Sequence, residues 1–88
     1  MNYKEAEKIH KALANQRRLM IIHLLSKNGN MSVGDISEKI RLSFKATSKH
    51  MLILKNANIV DNEQVGLEQF YFLKGNIDPI IKKTISTF

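Results

Sequence analysis

The sequence lacks cysteine altogether. Disulfide bonds, zinc–thiolate sites and thiol redox switches are therefore excluded, because each of them needs a cysteine sulfur. It also lacks any run of about 18 apolar residues, the length that a helix needs to cross a bilayer. Residues 1–13 alternate charged and apolar side chains without the apolar core of a signal peptide, so we expect a cytoplasmic protein with no membrane partner.

Glycine and proline are scarce as well, with four glycines and one proline in 88 residues. Because the glycines are scattered, no glycine-rich loop that cradles phosphate is present. Serine, histidine and acidic residues occur, but without a nucleophile elbow or a pair of carboxylates at the end of a strand. We therefore expect neither an enzyme nor a bound cofactor.

What is present is typical of a small folded domain. Apolar residues make up 43% of the chain, which, with the single proline, indicates a mostly helical protein rather than a disordered one. The length predicts one domain over residues 1–88. A domain of this size buries a modest core and often gains stability from a partner subunit.

Two short helices joined by a tight turn are predicted over residues 32–55. Ser32 is placed to cap the first of them, and it is followed three residues later by an acid. Arg41 and Leu42 make the turn, and Ser43 is placed to cap the second helix. The arrangement indicates a helix-turn-helix motif.

The second of these helices has two chemically different sides. Helical spacing places one group of residues on one side and a second group on the other. The first group is Thr47, His50, Met51 and Leu54, and the second is Lys45, Ser48, Lys49 and Leu52. Residues 41–55 contain four cations and no acid, in a chain of formal charge +6. A helix packed on one side and basic on the other is suited to a duplex, although a solvated basic face is the common alternative.

The remaining segments predict three more helices and a hairpin. They are, in chain order, a helix over residues 3–14, a helix over 16–27 capped by Asn15, a minimal strand at Met31, a two-stranded hairpin over 59–73, and a last helix that begins at Asp78 and Pro79. The fold class is therefore mainly α with a small β-hairpin.

The first and last helices have apolar sides that are large for their length. Either they cover the core of their own chain, or they pair with a second subunit. We favour a two-fold homodimer, because two copies then present two recognition helices one DNA turn apart. The expected interface residues are Ile9, Leu13, Ile80, Ile81, Ile85 and Phe88.

The order of elements and several phrases resemble the ArsR/SmtB family of winged-helix repressors. The phrases are KALANQRRLMIIHLL, MSVGDISEKI, LSFKATSKHMLIL and the hairpin ending in FYFL. The resemblance implies a winged helix-turn-helix homodimer that binds double-stranded operator DNA and releases it when a signal arrives. The hairpin over residues 59–73 is then the wing.

Carried over by position, the resemblance also implies which residues meet DNA. They are Arg41, Ser43, Phe44, Lys45, Thr47, Ser48 and Lys49, with Gln64 and Gly66 from the wing. His50 matches the family's usual histidine in the middle of the recognition helix. The hydroxyl of Thr47 can donate to a phosphate or a base, but we favour a half-buried packing role for this residue.

The chain also departs from the family pattern. Arg41 stands where a small residue is usual, so it either tolerates a strained turn or reaches a phosphate. The wing, often basic in relatives, carries Asp61, Glu63 and Glu68. The family's metal sites need cysteines, or histidines in the last helix, so we expect no metal. The effector would then be a small organic molecule or a protein, if one exists.

The three histidines do not predict a metal site either. They fall on three different predicted helices, and His10 and His23 lie on apolar sides where a packed histidine is the commoner case.

Two other functions stay open on the sequence. The acidic hairpin is compatible with a winged helix that docks onto another protein. The aromatic run of residues 70–72 is compatible with stacking on single-stranded nucleic acid, although such a run more often packs a hairpin.

Overall fold

The computed structural model describes all 88 residues, which form five helices and three strands. In chain order these are α1 Tyr3–Leu13, α2 Gln16–Asn28, β1 Met31–Ser32, α3 Val33–Ile40, α4 Phe44–Asn56, β2 Val60–Val65, β3 Glu68–Leu73 and α5 Pro79–Ile85. The predicted winged helix-turn-helix order is confirmed. None of these helices combines the length and the apolar character that crossing a membrane requires.

Every helix begins at a side chain that accepts a hydrogen bond from a free backbone N–H of its first turn. The caps are Asn2, Asn15, Ser32, Ser43 and Asp78, which accept from the backbone N–H groups of Glu5, Arg18, Asp35, Ala46 and Ile80. Such a cap stabilises a helix by about 1 kcal/mol. The sequence predicts all of them except Asn2.

The sheet has three antiparallel strands in the order β1-β3-β2. The sequence predicts the hairpin and the minimal strand, but not that the two pair with each other. Met31 lies opposite Tyr71, and Ser32 lies opposite Phe70. Because Ser32 also caps α3, the wing is tied directly to the start of the helix-turn-helix.

A single cluster of buried apolar side chains connects the helices to the base of the wing. Met51 and Leu54 of α4 lie in it, together with Ile21 and Ile22 of α2 and Ile36 of α3. Burying a side chain of this size contributes about 1.5–3 kcal/mol. The inner side of α4 is therefore fixed by the same core that holds the rest of the chain.

Two residues predicted for the dimer interface lie in this core instead. Ile9 is buried, and Ile81 is only 1% exposed. The small core recruits Ile9 and Ala12 from α1 and Ile81 from α5 to cover itself. The side chains of Ile9 and Ile81 are therefore not available to a second copy. Leu13, Ile80 and Ile85 pack partly against the core, whereas Phe88 is 58% exposed.

The prediction that His10 is packed on an apolar side is wrong. Its side chain is exposed, and Nδ1 lies 2.8 Å from the backbone oxygen of Ala6, one turn earlier in α1. His23 is half-buried, and its ring centroid lies 5.2 Å from that of Phe88.

The turn between α3 and α4 has the hydrogen bonds of a Schellman motif. The backbone N–H of Leu42 donates to Ser37 and that of Arg41 donates to Glu38, at 3.1 and 3.3 Å. Arg41 has φ 55° and ψ 54°, a left-handed conformation that usually belongs to glycine. The strained turn expected from the sequence is therefore present, and Arg41 itself is exposed.

Arg18 joins α1, α2 and α4. Its Nε and Nη2 donate to the backbone oxygens of Ala12 and Lys11, at 2.6 and 3.1 Å, which satisfies carbonyls in the last turn of α1. Its Nη1 lies 3.1 Å from His50 Nδ1. A guanidinium only donates, so His50 accepts this bond as a neutral imidazole with its proton on Nε2.

Replacing Arg41 tests the strain in the turn. We expect Arg41→Gly to raise the free energy of unfolding by roughly 0.5–1 kcal/mol, because glycine adopts a positive φ without a Cβ clash. Arg41→Ala removes the same charge but keeps the Cβ, and should give no such gain. Urea denaturation of the three proteins measures the difference. Equal stability of the two variants would show that the turn is not strained.

Acid should weaken the link between α2 and α4. Burial, followed by the charges of Arg18 and Arg17, lowers the pKa of His50 below its ordinary value. The folded protein therefore binds fewer protons than the unfolded chain, and the free energy of unfolding falls as the pH decreases through the ordinary pKa of about 6.5.

Thermal melting between pH 8 and pH 5 checks this expectation, with His50→Asn as the control. Asparagine offers an acceptor to Arg18 but does not titrate, so the variant should lose less stability on acidification than the wild type. An equal loss in both proteins would contradict the assignment to His50.

Candidate nucleic-acid interface

The outward side of α4 is basic and has no acid to neutralise it. Lys45 and Lys49 are both exposed, and they lie about 6 Å apart along the axis, one helical turn. The one ion pair in the protein joins Lys11 and Glu7 in α1. Both lysines of α4 are therefore free to meet a polyanion, and half-buried Ser48 lies between them with a hydroxyl that donates or accepts.

Thr47 does not belong to this surface. It is 0% exposed, and its Oγ1 has no hydrogen-bond partner in the folded chain. Its position on the helix turns it toward the side that carries Met51 and Leu54. A side chain buried there does not reach DNA, so including Thr47 among the DNA contacts was wrong, and its burial is complete rather than the half-burial that the sequence predicts.

The start of α4 brings three more predicted residues together. Arg41, Ser43 and Phe44 line a shallow open depression between α3 and α4. Ser43 Oγ accepts from the backbone N–H of Ala46, which leaves the N–H groups of the first two helical residues free. The positive end of the helix dipole lies at the same place. The depression thus combines a cation, free backbone donors and an exposed aromatic ring, with the carboxylate of Glu38 also on its lining.

The wing has the opposite charge. Residues 59–73 carry three acids and no cation. Gln64 and Gly66, the predicted wing contacts, lie at its tip, where Gln64 Nε2 donates to the backbone oxygen of Gly66 at 3.2 Å. Gly66 has φ 64° and is the first of the two turn residues, as in a type II′ turn.

Amide side chains link the two strands of the wing below this tip. Asn62 Nδ2 donates to Gln69 Oε1 at 2.6 Å, and Gln69 Nε2 donates to Gln64 Oε1 at 3.1 Å. The chain of amides sets the direction of Gln64, and it was not predicted from the sequence.

The aromatic residues of β3 are all half-buried. Tyr71 packs against the core, and burial raises the pKa of its hydroxyl above the ordinary value. Phe70 and Phe72 lie on the other face of the strand, opposite Glu63 and Asp61. Stacking on single strands needs exposed ring faces beside cations. Half-buried rings beside carboxylates argue against that function.

Arg18 is the residue near this site that sequence reasoning missed. The signal was a cation in the first turn of an apolar helix, within the phrase QRRL, where a cation is unfavourable to the helix dipole. Its partner, His50, directly follows Lys49 in α4. The hydrogen bond from Arg18 to His50 therefore helps to fix the rotation of α4 next to the basic surface.

Comparison with known proteins identifies the family. The model described as "Bacterial regulatory protein, arsR family" matches residues 15–62, which is more than half of the chain. The sequence is 36% identical over 83 residues to the HTH-type transcriptional regulator MJ1325 of Methanocaldococcus jannaschii, covering 94% of this chain and 90% of that protein. It is 36% identical over 80 residues to the transcriptional activator HlyU of Vibrio cholerae, covering 83% and 73%.

Solved structures show the same fold. The structure of HlyU from Vibrio cholerae has a TM-score of 0.81 at 31% identity, covering 99% of this chain and 92% of that one. The homodimeric winged helix-turn-helix DNA-binding domain from Mycobacterium bovis also has a TM-score of 0.81, at 26% identity, covering 96% and 74%. These likenesses confirm the expectation of a regulator rather than an enzyme. The chain belongs to the arsR family of bacterial regulatory proteins.

Proposed function

We propose that this regulator is a homodimer that reads an inverted repeat in double-stranded operator DNA, with α4 of each copy in the major groove. The observation that carries the proposal is the division of α4 into a core side and a basic side. Met51 and Leu54 are fully buried, so Lys45 and Lys49 point outward together. A recognition helix needs both an anchored side and a free one.

The residues of the interface divide into two roles. Lys45 and Ser48 are suited to base edges, since they lie in the first half of α4, which enters the groove first. Arg41, Ser43 and Lys49 are suited to phosphates, which position the helix without reading sequence. Each lysine or arginine that neutralises a phosphate releases counterions, so the affinity falls as salt is added.

The wing has a minor part in this proposal. Its carboxylates are repelled by phosphate, so only the tip, with Gln64 and Gly66, approaches the duplex. The affinity therefore comes mainly from α4 and from the turn before it. A winged helix that docks onto another protein remains the rival function, and it predicts no salt-dependent binding to duplex DNA.

The dimer rests on residues that the core leaves partly uncovered. Leu13, Ile80 and Ile85 are half-buried and Phe88 is exposed, all of them in or next to α1 and α5. The structural relative from Mycobacterium bovis is a homodimer, which supports the same assembly here.

We expect the protein to repress transcription, and we expect it in the cytoplasm, where the proposed operator DNA lies. A dimer on an operator that overlaps a promoter blocks transcription by occupying the site. The relative HlyU is an activator, so the position of the operator decides the sign. A reporter gene placed behind the selected operator, with and without the protein, measures it.

Two lysine variants test the DNA-binding surface. We expect Lys45→Glu to abolish binding to a duplex selected from a random pool, because it replaces a contact with a repulsion. Lys49→Ala should weaken binding by about tenfold and reduce the salt dependence by about one counterion. Fluorescence anisotropy at two salt concentrations measures both effects.

Lys4→Ala is the control for these variants, since it removes the same charge from exposed α1. It should bind like the wild type. If both α4 variants bind like the wild type while remaining folded, the assigned surface is wrong.

The dimer is tested by placing a charge on its exposed apolar residue. We expect the wild type to have twice the mass of a single chain, and Phe88→Glu to shift it toward the monomer, because the carboxylate must lose water on association. Analytical ultracentrifugation gives the masses. Leu67→Glu, at the fully exposed wing tip, should remain dimeric. If Phe88→Glu is as dimeric as the control, α5 and the residues after it do not form the dimer interface.

A further inference from the structure

Phe44 is a large apolar side chain that the fold leaves unused. It is the first residue of α4, it is 62% exposed, and it is absent from the hydrophobic cluster and from the side chains packed against it. Met51 and Leu54 hold α4 without it. Single exposed apolar residues are common on protein surfaces, so the case for a contact outside the chain rests on where Phe44 lies.

Its position determines what that contact is. The N-terminal residues of a recognition helix meet the base edges, and Phe44 lies between Ser43, which caps the helix, and the exposed Lys45. Helical spacing directs Phe44 about 100° away from Lys45, but its place in the first turn, beyond the buried part of α4, leaves it exposed. In the proposed complex the phenyl ring therefore enters the major groove with the N-terminus of α4.

The ring has no hydrogen-bond donor or acceptor, so it does not read the polar groups of the groove. The C5-methyl of thymine is the one apolar group that the base pairs present there. We propose that Phe44 selects thymine at one position of each half-site by packing against this methyl group. The inference rests on the proposed function and adds to it a base preference and the residue that sets it.

Two other apolar residues of α4 are exposed, and their position separates them from this role. Leu52, 56% exposed, and Ile53 lie eight and nine residues beyond Phe44, about 12 Å further along the axis. They belong to the C-terminal half of the helix. Leu52 is therefore the matched control, as an exposed apolar side chain of α4 away from its N-terminus.

The experiment uses the wild-type protein and the duplex selected from a random pool, with each thymine in turn replaced by deoxyuridine. Uracil keeps the pairing and the O4 acceptor of thymine and lacks only the methyl. We expect one position in each half-site to lose about fourfold in affinity, the value of one buried carbon. Replacing any of the other thymines should change the affinity little.

The same pair of duplexes is then measured with Phe44→Ala and Leu52→Ala. Phe44→Ala should bind the thymine and the uracil duplex equally, whereas Leu52→Ala should keep the fourfold preference. Because Phe44 is exposed, the variant should melt like the wild type. The inference is overturned if no deoxyuridine substitution lowers the affinity of the wild type, or if Phe44→Ala still prefers the thymine duplex.

Failure of the inference is distinct from failure of the proposed function. If the wild type binds the unsubstituted duplex in a salt-dependent way and binds every deoxyuridine duplex with the same affinity, only the role proposed for Phe44 is rejected. If the wild type selects no duplex from the random pool, the proposed function is rejected, and the thymine preference is rejected with it.

Discussion

The burial of one side of α4 is the constraint on which the rest of the structure depends. Met51 and Leu54 contact the same core as α2 and α3, so the rotation of the helix about its axis is fixed. An α-helix turns by about 100° per residue, and a fixed inner side leaves no choice about which residues face outward. Lys45 and Lys49 are outward because the core residues are inward.

Polar contacts add precision to this arrangement. The Schellman motif sets the angle at which the chain leaves α3, and Ser43 caps α4 immediately afterwards. On the other side, Arg18 connects α4 to the end of α1 through His50. Since α1 also contributes Ile9 to the core, the expected dimerisation elements and the recognition helix share one rigid set of contacts.

Much of this fold could be predicted from the sequence because its signals are local. Asn15, Ser32, Ser43 and Asp78 each act within three residues of their own position. Helical spacing likewise separated the lysines of α4 from its core residues. What the sequence did not show depends on distant partners. The pairing of β1 with β3, the bond from Arg18 to His50 and the burial of Ile9 and Ile81 all join segments that are far apart in the chain.

The acidic wing beside the basic helix gives the protein an electric dipole, and this dipole bears on how the proposed DNA complex forms. A duplex in free diffusion attracts α4 and repels residues 61–68, and this pair of forces exerts a torque before any contact is made. Encounters in the wrong orientation are therefore short-lived, and the protein arrives at the groove already turned. A uniformly basic wing would bind DNA more tightly everywhere, but it would supply no such alignment.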